Sequence, residues 1–171
     1  MKAEIIGSTV RVSYDVLDLA VAVKYAEIRM ISSAASNLTD STTYQRDTRT
    51  KLTEELTGVL GEMAICYLLN TGGPKANTFH LIADAGVDIE CRSTTRADGR
   101  LIFRKNDDPS RRFVLAIVFR DRVDLVGWIY GKDAMVDQWK VNPNGYREAW
   151  FVPRSSLRPM NELSIASRQN C

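Results

Sequence analysis

An unbroken run of seven apolar residues, 113–119, constrains the fold of this chain more than any other feature. A strand with one solvent-facing side alternates apolar and polar residues, whereas a fully apolar run of this length is typical of a central strand that is buried on both faces. Asp121 or Arg122 then turns the chain, and residues 123–130 are predicted to return as a second strand. The run is much shorter than the roughly 20 residues that a membrane helix needs.

Two segments show the 3.6-residue apolar period of amphipathic helices. Residues 53–70 form the clearer of the two, and residues 15 to about 31 form the other. Gly58 and Gly61 lie within the helix predicted for residues 53–70. Each lowers the stability of a helix by about 1 kcal/mol relative to alanine. Such glycines often allow a neighbouring element to approach closely. The polar segment 37–50 has no apolar period and is predicted to be a flexible loop.

Residues 87–95 and 100–105 alternate with the two-residue period of strands. The intervening sequence Arg-Ala-Asp-Gly at 96–99 predicts a hairpin turn. In this interpretation the odd-numbered residues face the core and the even-numbered charged residues share one polar face. These charged residues are Asp88, Glu90, Arg92, Arg100 and Arg104.

The order of elements is a helical N-terminal half followed by strands. This order predicts an α+β fold with a mixed central β-sheet flanked by helices. A length of 171 residues is expected for one domain, 1–171. Residues 150–153 are predicted to form an edge strand.

The rare residues exclude several kinds of site. The chain has one histidine, His80, and three cysteines without a C-x-x-C pair, which argues against structural zinc and iron–sulfur centres. Without a signal-peptide pattern we expect a cytoplasmic protein with free thiols. A nucleophile pair of Cys91 and His80 is an alternative, although buried cysteine is the more common state. Catalysis would otherwise depend on carboxylates and basic residues, and carboxylates without histidine suit hard cations such as Mg²⁺.

Positive charge is concentrated in one segment. The chain carries a net charge of +2, but residues 92–122 hold nine Arg or Lys and four acids and are therefore +5. Arginine favours bidentate contacts with phosphate, so this segment is a candidate DNA-binding surface; a solvated hairpin face is the alternative. The candidate DNA contacts are Arg96, Arg100, Arg104, Lys105, Arg111 and Arg112.

Acidic residues in three successive elements form a candidate catalytic constellation. Glu62 lies in the clearer helix, Asp84 lies in a turn, and Glu90 and Arg92 share one face of a strand. Asp84 and Glu90 are candidate Mg²⁺ or Mn²⁺ ligands with Glu62 as a third, and Asp88 is an alternative to Asp84. A surface acid at position 62 and a salt-bridge network on the strand are the structural alternatives.

This arrangement resembles the PD-(D/E)XK nuclease superfamily, and more narrowly a group of small phage and prophage proteins with a nuclease-like core. The order helix Glu, Asp, acid-x-base and hairpin is the order of that superfamily. The strings that carry the resemblance, between about residues 52 and 160, are GVLGEMAICYLLN, NTFHLIADAGVDIECRSTTRADGRLIFRKND, VDLVGWIYGKDA and AWFVPRSSLRPM.

The resemblance implies a restriction-endonuclease-like fold. It also implies a metal-dependent DNA nuclease, with Mg²⁺ or Mn²⁺ as cofactor, DNA as substrate and the host cytoplasm as location. One departure matters, because Arg92 occupies the position of the motif lysine. Arginine stays protonated and can hold a phosphate but cannot act as a base. An inactive nuclease fold that binds nucleic acid or a host protein is therefore the alternative function, and the sequence leaves a homodimer open.

Overall fold

The computed structural model describes residues 1–35, 47–74, 83–86, 88–142 and 148–163. The predicted loop at 37–46, His80 and Val87 lie outside the described residues. The elements, in chain order, are β1 (Lys2–Ile6), β2 (Thr9–Ser13), α1 (Val16–Ala35), α2 (Thr48–Leu69), β3 (Ile89–Thr94), β4 (Leu101–Arg104), β5 (Arg112–Val118), β6 (Arg122–Tyr130), α3 (Gly131–Ala134), β7 (Lys140–Val141) and β8 (Ala149–Val152).

The larger of two sheets has five strands in the order β1-β2-β6-β5-β3. Strands β3 and β5 are parallel and the other neighbours are antiparallel, so the sheet is mixed. Every residue of β5 is buried, which confirms the central strand predicted from the apolar run. The predicted return strand is β6, which pairs with β5. The predicted α+β fold with a mixed sheet is therefore confirmed.

Side-chain alternation along β5 divides the core into two parts. Val114 and Ala116 join the cluster that includes helical residues such as Val59. Phe113 joins a second cluster with residues of β4, β6 and β8, and its ring lies 4.5 Å from that of Phe103. The five-stranded sheet thus has α1 and α2 on one face, while the smaller sheet, of order β4-β8-β7, packs on the other face. The prediction that helices flank the sheet is therefore confirmed for one face, whereas the smaller sheet covers the other face.

Helix α2 begins earlier than predicted because Asp47 caps it. The Asp47 carboxylate accepts a 2.8 Å hydrogen bond from the backbone N–H of Thr50 and so satisfies one of the free donors of the first turn. Residues 48–50, which we predicted to belong to a loop, are therefore helical. At the other end Asn70 adopts a left-handed conformation with φ of 54° and ends the helix near the predicted position.

The predicted hairpin of β3 and β4 is wrong. Strand β3 pairs with β5 in the larger sheet, whereas β4 pairs with β8 in the smaller one. The turn is instead tied to the chain beyond β8, because the Arg154 guanidinium donates hydrogen bonds to the carbonyl oxygens of Ala97 and Gly99. Strand β8 is also not at an edge, since it lies between β4 and β7. A two-residue period predicts which side chains face the core, but it does not specify the neighbouring strand.

None of the described helices is long and apolar enough to cross a membrane.

Candidate functional site

Helix α2 contacts β3 directly, and this contact determines on which side of the sheet the acidic residues lie. A Cβ built on Gly61 would lie 2.0 Å from Ser93 Oγ and 3.2 Å from Cys91 Sγ. Cys91 and Ser93 therefore face α2, and the close approach expected of a helical glycine is confirmed at Gly61. Because side chains alternate along a strand, Glu90 and Arg92 point to the opposite face.

Glu62 and Glu90 consequently lie on opposite sides of the larger sheet. We predicted that Glu62 would lie near Glu90 and Asp84 in one carboxylate cluster. The structure corrects this for the pair Glu62 and Glu90, because Glu62 belongs to the helix layer and Glu90 neighbours Phe113 on the side of the smaller sheet. The motif order along the chain is present, but it does not bring all three acids to one face.

Asp84 lies at the edge of β3 that pairs with none of the described strands, between these two faces. Ala85 and Ile89 exchange backbone hydrogen bonds of 3.1 and 3.2 Å along this edge. Two residues further along, Asp84 Oδ2 accepts a 2.8 Å hydrogen bond from the backbone N–H of Cys91. The Asp84 carboxylate thus satisfies a strand N–H that would otherwise lack a neighbouring strand.

Burial, followed by the charge of Glu90, raises the pKa of Asp84 to about 6 despite the hydrogen bond from Cys91. The positive charges of Arg92 and Arg29 act in the opposite direction. The charge of Asp84 also raises the pKa of Glu62. Asp84 is therefore electrostatically coupled to both Glu62 and Glu90, although these two lie on different faces.

Glu62 is a buried partner of Arg29 in α1. Arg29 Nη1 donates a 2.8 Å hydrogen bond to Glu62 Oε1, and Nη2 donates to Oε2. Burial raises the pKa of Glu62, and the paired guanidinium opposes this shift. Glu62 is thus neither solvent-facing nor free, and its ion pair joins the two long helices.

Glu90 and Arg92 fasten the segment after β4 to β3. Arg111 donates a hydrogen bond to Glu90, and burial raises the pKa of Glu90 against the effect of this pair. Arg92 Nη2 donates a 2.7 Å hydrogen bond to Asp107 Oδ1, and its guanidinium lies 5.7 Å from the centre of the Phe113 ring. Both motif residues therefore take part in a salt-bridge network.

Asp88, the alternative acid, is bound to Arg112. The guanidinium donates two hydrogen bonds, of 2.6 and 2.7 Å, to the two carboxylate oxygens. The backbone N–H of Arg112 also donates to the carbonyl oxygen of Asp88 at 2.8 Å. This bidentate pair fixes the start of β3 against the start of β5.

The described residues do not fit a magnesium centre as they are arranged. Within the described ranges no three His, Cys, Asp or Glu side chains lie close enough together to hold a metal ion. Glu62 and Glu90 are held by arginines, and one oxygen of Asp84 is held by a backbone N–H. A cation would have to displace guanidinium groups from its ligands, so the magnesium site stays a prediction that this donor set does not support.

The thiol of Cys91 is unsuited to nucleophilic catalysis. Burial, together with the nearby charges of Asp84 and Glu62, raises its pKa well above the ordinary value. The thiolate is the reactive form, so the protonated thiol is unreactive. Its proposed partner His80 lies outside the described residues.

The predicted DNA contacts separate into paired and unpaired cations. Arg111 and Arg112 are largely buried and form ion pairs with Glu90 and Asp88. Arg96 is exposed but pairs with Asp98 at 3.2 Å. The remaining three are exposed, and among the described residues they form no ion pair. These three are Arg100, Arg104 and Lys105.

Two of these cations belong to the outer face of the smaller sheet. Leu101 and Phe103 of β4 point into the core, so Ile102 and Arg104 point outward. In the strand register Ile102 opposes Phe151, and Arg104 opposes Ala149, which in turn opposes Val141. Arg100 directly precedes β4, is exposed and has the same parity along the chain as Ile102 and Arg104. We call the set Arg100, Ile102, Arg104, Val141, Ala149 and Phe151 the outer face.

The apolar residues of the outer face were missed in the sequence, although a signal was present. Ile102 and Val141 are 42% and 41% exposed, and Phe151 is half-buried. Ile102 breaks the alternation of β4, because it is the one apolar residue at an even position of that strand. A single exposed apolar side chain is common on protein surfaces, but neighbouring ones that share a face with cations form a candidate binding surface.

Comparison with protein-family models, with curated proteins and with solved structures finds no match.

Proposed function

We propose that this chain is a nucleic-acid-binding domain that contacts single-stranded DNA through the outer face. The observation that carries the proposal is the position of the three cations that form no ion pair within the described part of the chain. Arg100 directly precedes β4 and Arg104 ends it, so the two arginines flank Ile102, and Lys105 follows directly. The other predicted contacts already have carboxylate partners, so phosphate would have to displace an acid from them.

The chemistry of the outer face favours a single strand over a duplex. A duplex presents phosphates and sugars to a flat protein surface, and apolar side chains gain little from such contact. A single strand also exposes the faces of its bases, which stack on aromatic and apolar side chains beside a basic groove. Phe151 and Ile102 are adjacent cross-strand partners at the centre of the outer face, with arginines on either side of Ile102.

The experiment is a salt titration of affinity for a fluorescent single-stranded oligonucleotide. The double variant Arg100→Ala/Arg104→Ala should bind more weakly. It should also lower the slope of log affinity against log salt by about 0.7 for each phosphate that the protein no longer binds. The matched control is Arg49→Ala/Lys51→Ala, which removes two exposed cations from the start of α2. An equal loss of affinity in both double variants would contradict a specific contact surface.

A metal-dependent nuclease is the second candidate, favoured by the coupling of Asp84 to both Glu62 and Glu90. Its test is plasmid nicking with Mg²⁺ or Mn²⁺, with Glu90→Ala as the control for a contaminating enzyme. Loss of cleavage in Glu90→Ala, together with cleavage that is about a hundredfold slower in Arg92→Ala, would establish the nuclease. Removing one donor that stabilises the transition state usually raises the activation free energy by a few kcal/mol. A phage or prophage origin and a location in the host cytoplasm belong to either proposal and depend on the sequence resemblance.

A further inference from the structure

Helix α1 presents an unusually apolar face to solvent. Its opposite side, with Ala22 and Ala26, is buried in the helical part of the core. On the exposed side Leu17 and Ile31 are 73% and 68% exposed. We define the α1 stripe as Leu17, Ala20, Lys24, Glu27, Ile31 and Ala34, with Val21 and Ile28 as exposed apolar neighbours.

The six residues of the α1 stripe were chosen at the positions that one coiled-coil seam would occupy on this helix. Successive members are three, four, three, four and three residues apart, which is the alternation of the a and d positions in heptads. Helix α1 has 20 residues and is therefore about 30 Å long. A helix seam of this length that faces solvent has the geometry to pair with another helix.

We propose that α1 pairs in antiparallel orientation with α1 of a second copy of this chain. In an antiparallel pair each a position faces a d position of the other helix, about a two-fold axis between residues 25 and 26. Leu17 then faces Ala34 of the second copy, and Ala20 faces Ile31. Each of these two apolar contacts joins a large side chain to a small one.

Charge complementarity selects both the partner and the orientation. In the antiparallel register Lys24 faces Glu27 of the second copy, and Glu27 faces Lys24. Within one chain these two residues already form a 2.8 Å ion pair, so four alternating charges would meet at the centre of the dimer. A parallel pair would instead place Lys24 against Lys24 and Glu27 against Glu27, and like charges in contact are unfavourable. The stripe is thus complementary to itself in one orientation.

The test is sedimentation velocity of the full chain over a concentration series. Wild type should form a reversible dimer. Lys24→Glu alone places Glu against Glu, and Glu27→Lys alone places Lys against Lys, so each single variant should dimerise at least about tenfold more weakly. The double variant Lys24→Glu/Glu27→Lys restores opposite charges and should dimerise like wild type. An equimolar mixture of the two single variants should form a heterodimer for the same reason.

Circular dichroism of each variant controls for loss of the helix, because the exposed internal pair of Lys24 and Glu27 adds a small amount to its stability. A wild type that stays monomeric at every concentration would overturn the proposal. So would single variants that dimerise as strongly as wild type, or a double variant that stays as weak as the single ones while remaining folded.

Discussion

Asp84 completes the edge of β3 by accepting a hydrogen bond of 2.8 Å from the backbone N–H of Cys91. The same carboxyl is buried beside Glu90, and its pKa is raised to about 6. The Asp84 carboxylate therefore stabilises the edge of β3 through its hydrogen bond, while burial and the charge of Glu90 make its ionised form unfavourable. A neutral acceptor would keep the hydrogen bond without the unfavourable charge.

Asp84→Asn should stabilise the protein at neutral pH. Because the pKa of Asp84 is raised above its ordinary value of 3.8, the folded state binds more protons than the unfolded state between about pH 4 and 6. The contribution of Asp84 to stability is thus present below the ordinary pKa and is lost as the pH rises through 6. The gain from Asp84→Asn should be absent below pH 4 and reach at most about 3 kcal/mol above pH 6.

The measurement is urea unfolding of both proteins across this pH range. Asp98→Asn is the matched control with the opposite sign, because Arg96 lowers the pKa of Asp98. That variant should be slightly less stable than wild type above pH 4, and the difference should disappear as the pH falls below 4. A gain from Asp84→Asn that does not vary with pH would show that ionisation of Asp84 is not its cause.

Arg29→Met should destabilise the protein strongly, because it leaves the buried carboxylate of Glu62 without its bidentate partner. Breaking a buried pair in this way costs about 3–5 kcal/mol. The double variant Arg29→Met/Glu62→Gln removes the unpaired charge and should recover part of the loss. Chemical denaturation of wild type, both single variants and the double variant gives the coupling energy, and strictly additive losses would contradict a direct pair.

The two glycines of α2 should respond in opposite directions to alanine. A Cβ on Gly58 meets no atom within 4 Å, so Gly58→Ala should stabilise the helix by about 1 kcal/mol. A Cβ on Gly61 would collide with Ser93 and crowd Cys91 and Ala116. Gly61→Ala should therefore lower the melting temperature despite the gain in helix propensity, and an increase in both variants would show that α2 does not pack tightly on β3.

Phe151 should contribute to DNA affinity through its ring. Stacking of a base on an aromatic side chain is worth about 1–3 kcal/mol, so Phe151→Leu should weaken binding of single-stranded DNA by about tenfold or more. Phe151→Tyr retains the ring and should bind like wild type. Anisotropy titrations with single-stranded and duplex oligonucleotides measure this effect, and a loss that is equal for both would indicate contacts with the backbone alone.

Some of this structure could be predicted from the sequence because single segments determine it. The apolar run identified β5 as a strand buried on both faces, and the 3.6-residue period located α2, although the helix begins five residues before the predicted start. The glycine signal indicated a close contact correctly at Gly61 but not at Gly58, where an added Cβ would meet no atom within 4 Å. These features depend on local composition and period, which are visible without knowledge of the neighbours.

The partners of β3 could not be predicted in the same way. The Arg-Ala-Asp-Gly turn predicted that β4 would pair with β3, but β5 supplies an apolar strand that pairs with β3 along its whole length. The pairing of β3 with β5 instead of β4 also determines where the acidic residues lie. Glu90 and Arg92 have the expected spacing, yet their partners Arg111 and Asp107 come from a segment whose placement depends on the parallel pairing. Spacing along a chain indicates a shared strand face, but it does not specify what covers that face.

Amide chemical-shift perturbation during titration with a short single-stranded DNA tests the central claim most directly. The account predicts that the shifts concentrate at residues 100–105 and 149–151, around the outer face, and that Asp84, Glu90 and Arg92 change little because they remain in their internal contacts. Shifts centred on Asp84, Glu90 and Arg92, with none on the outer face, would contradict it and would favour binding at the nuclease-like motif.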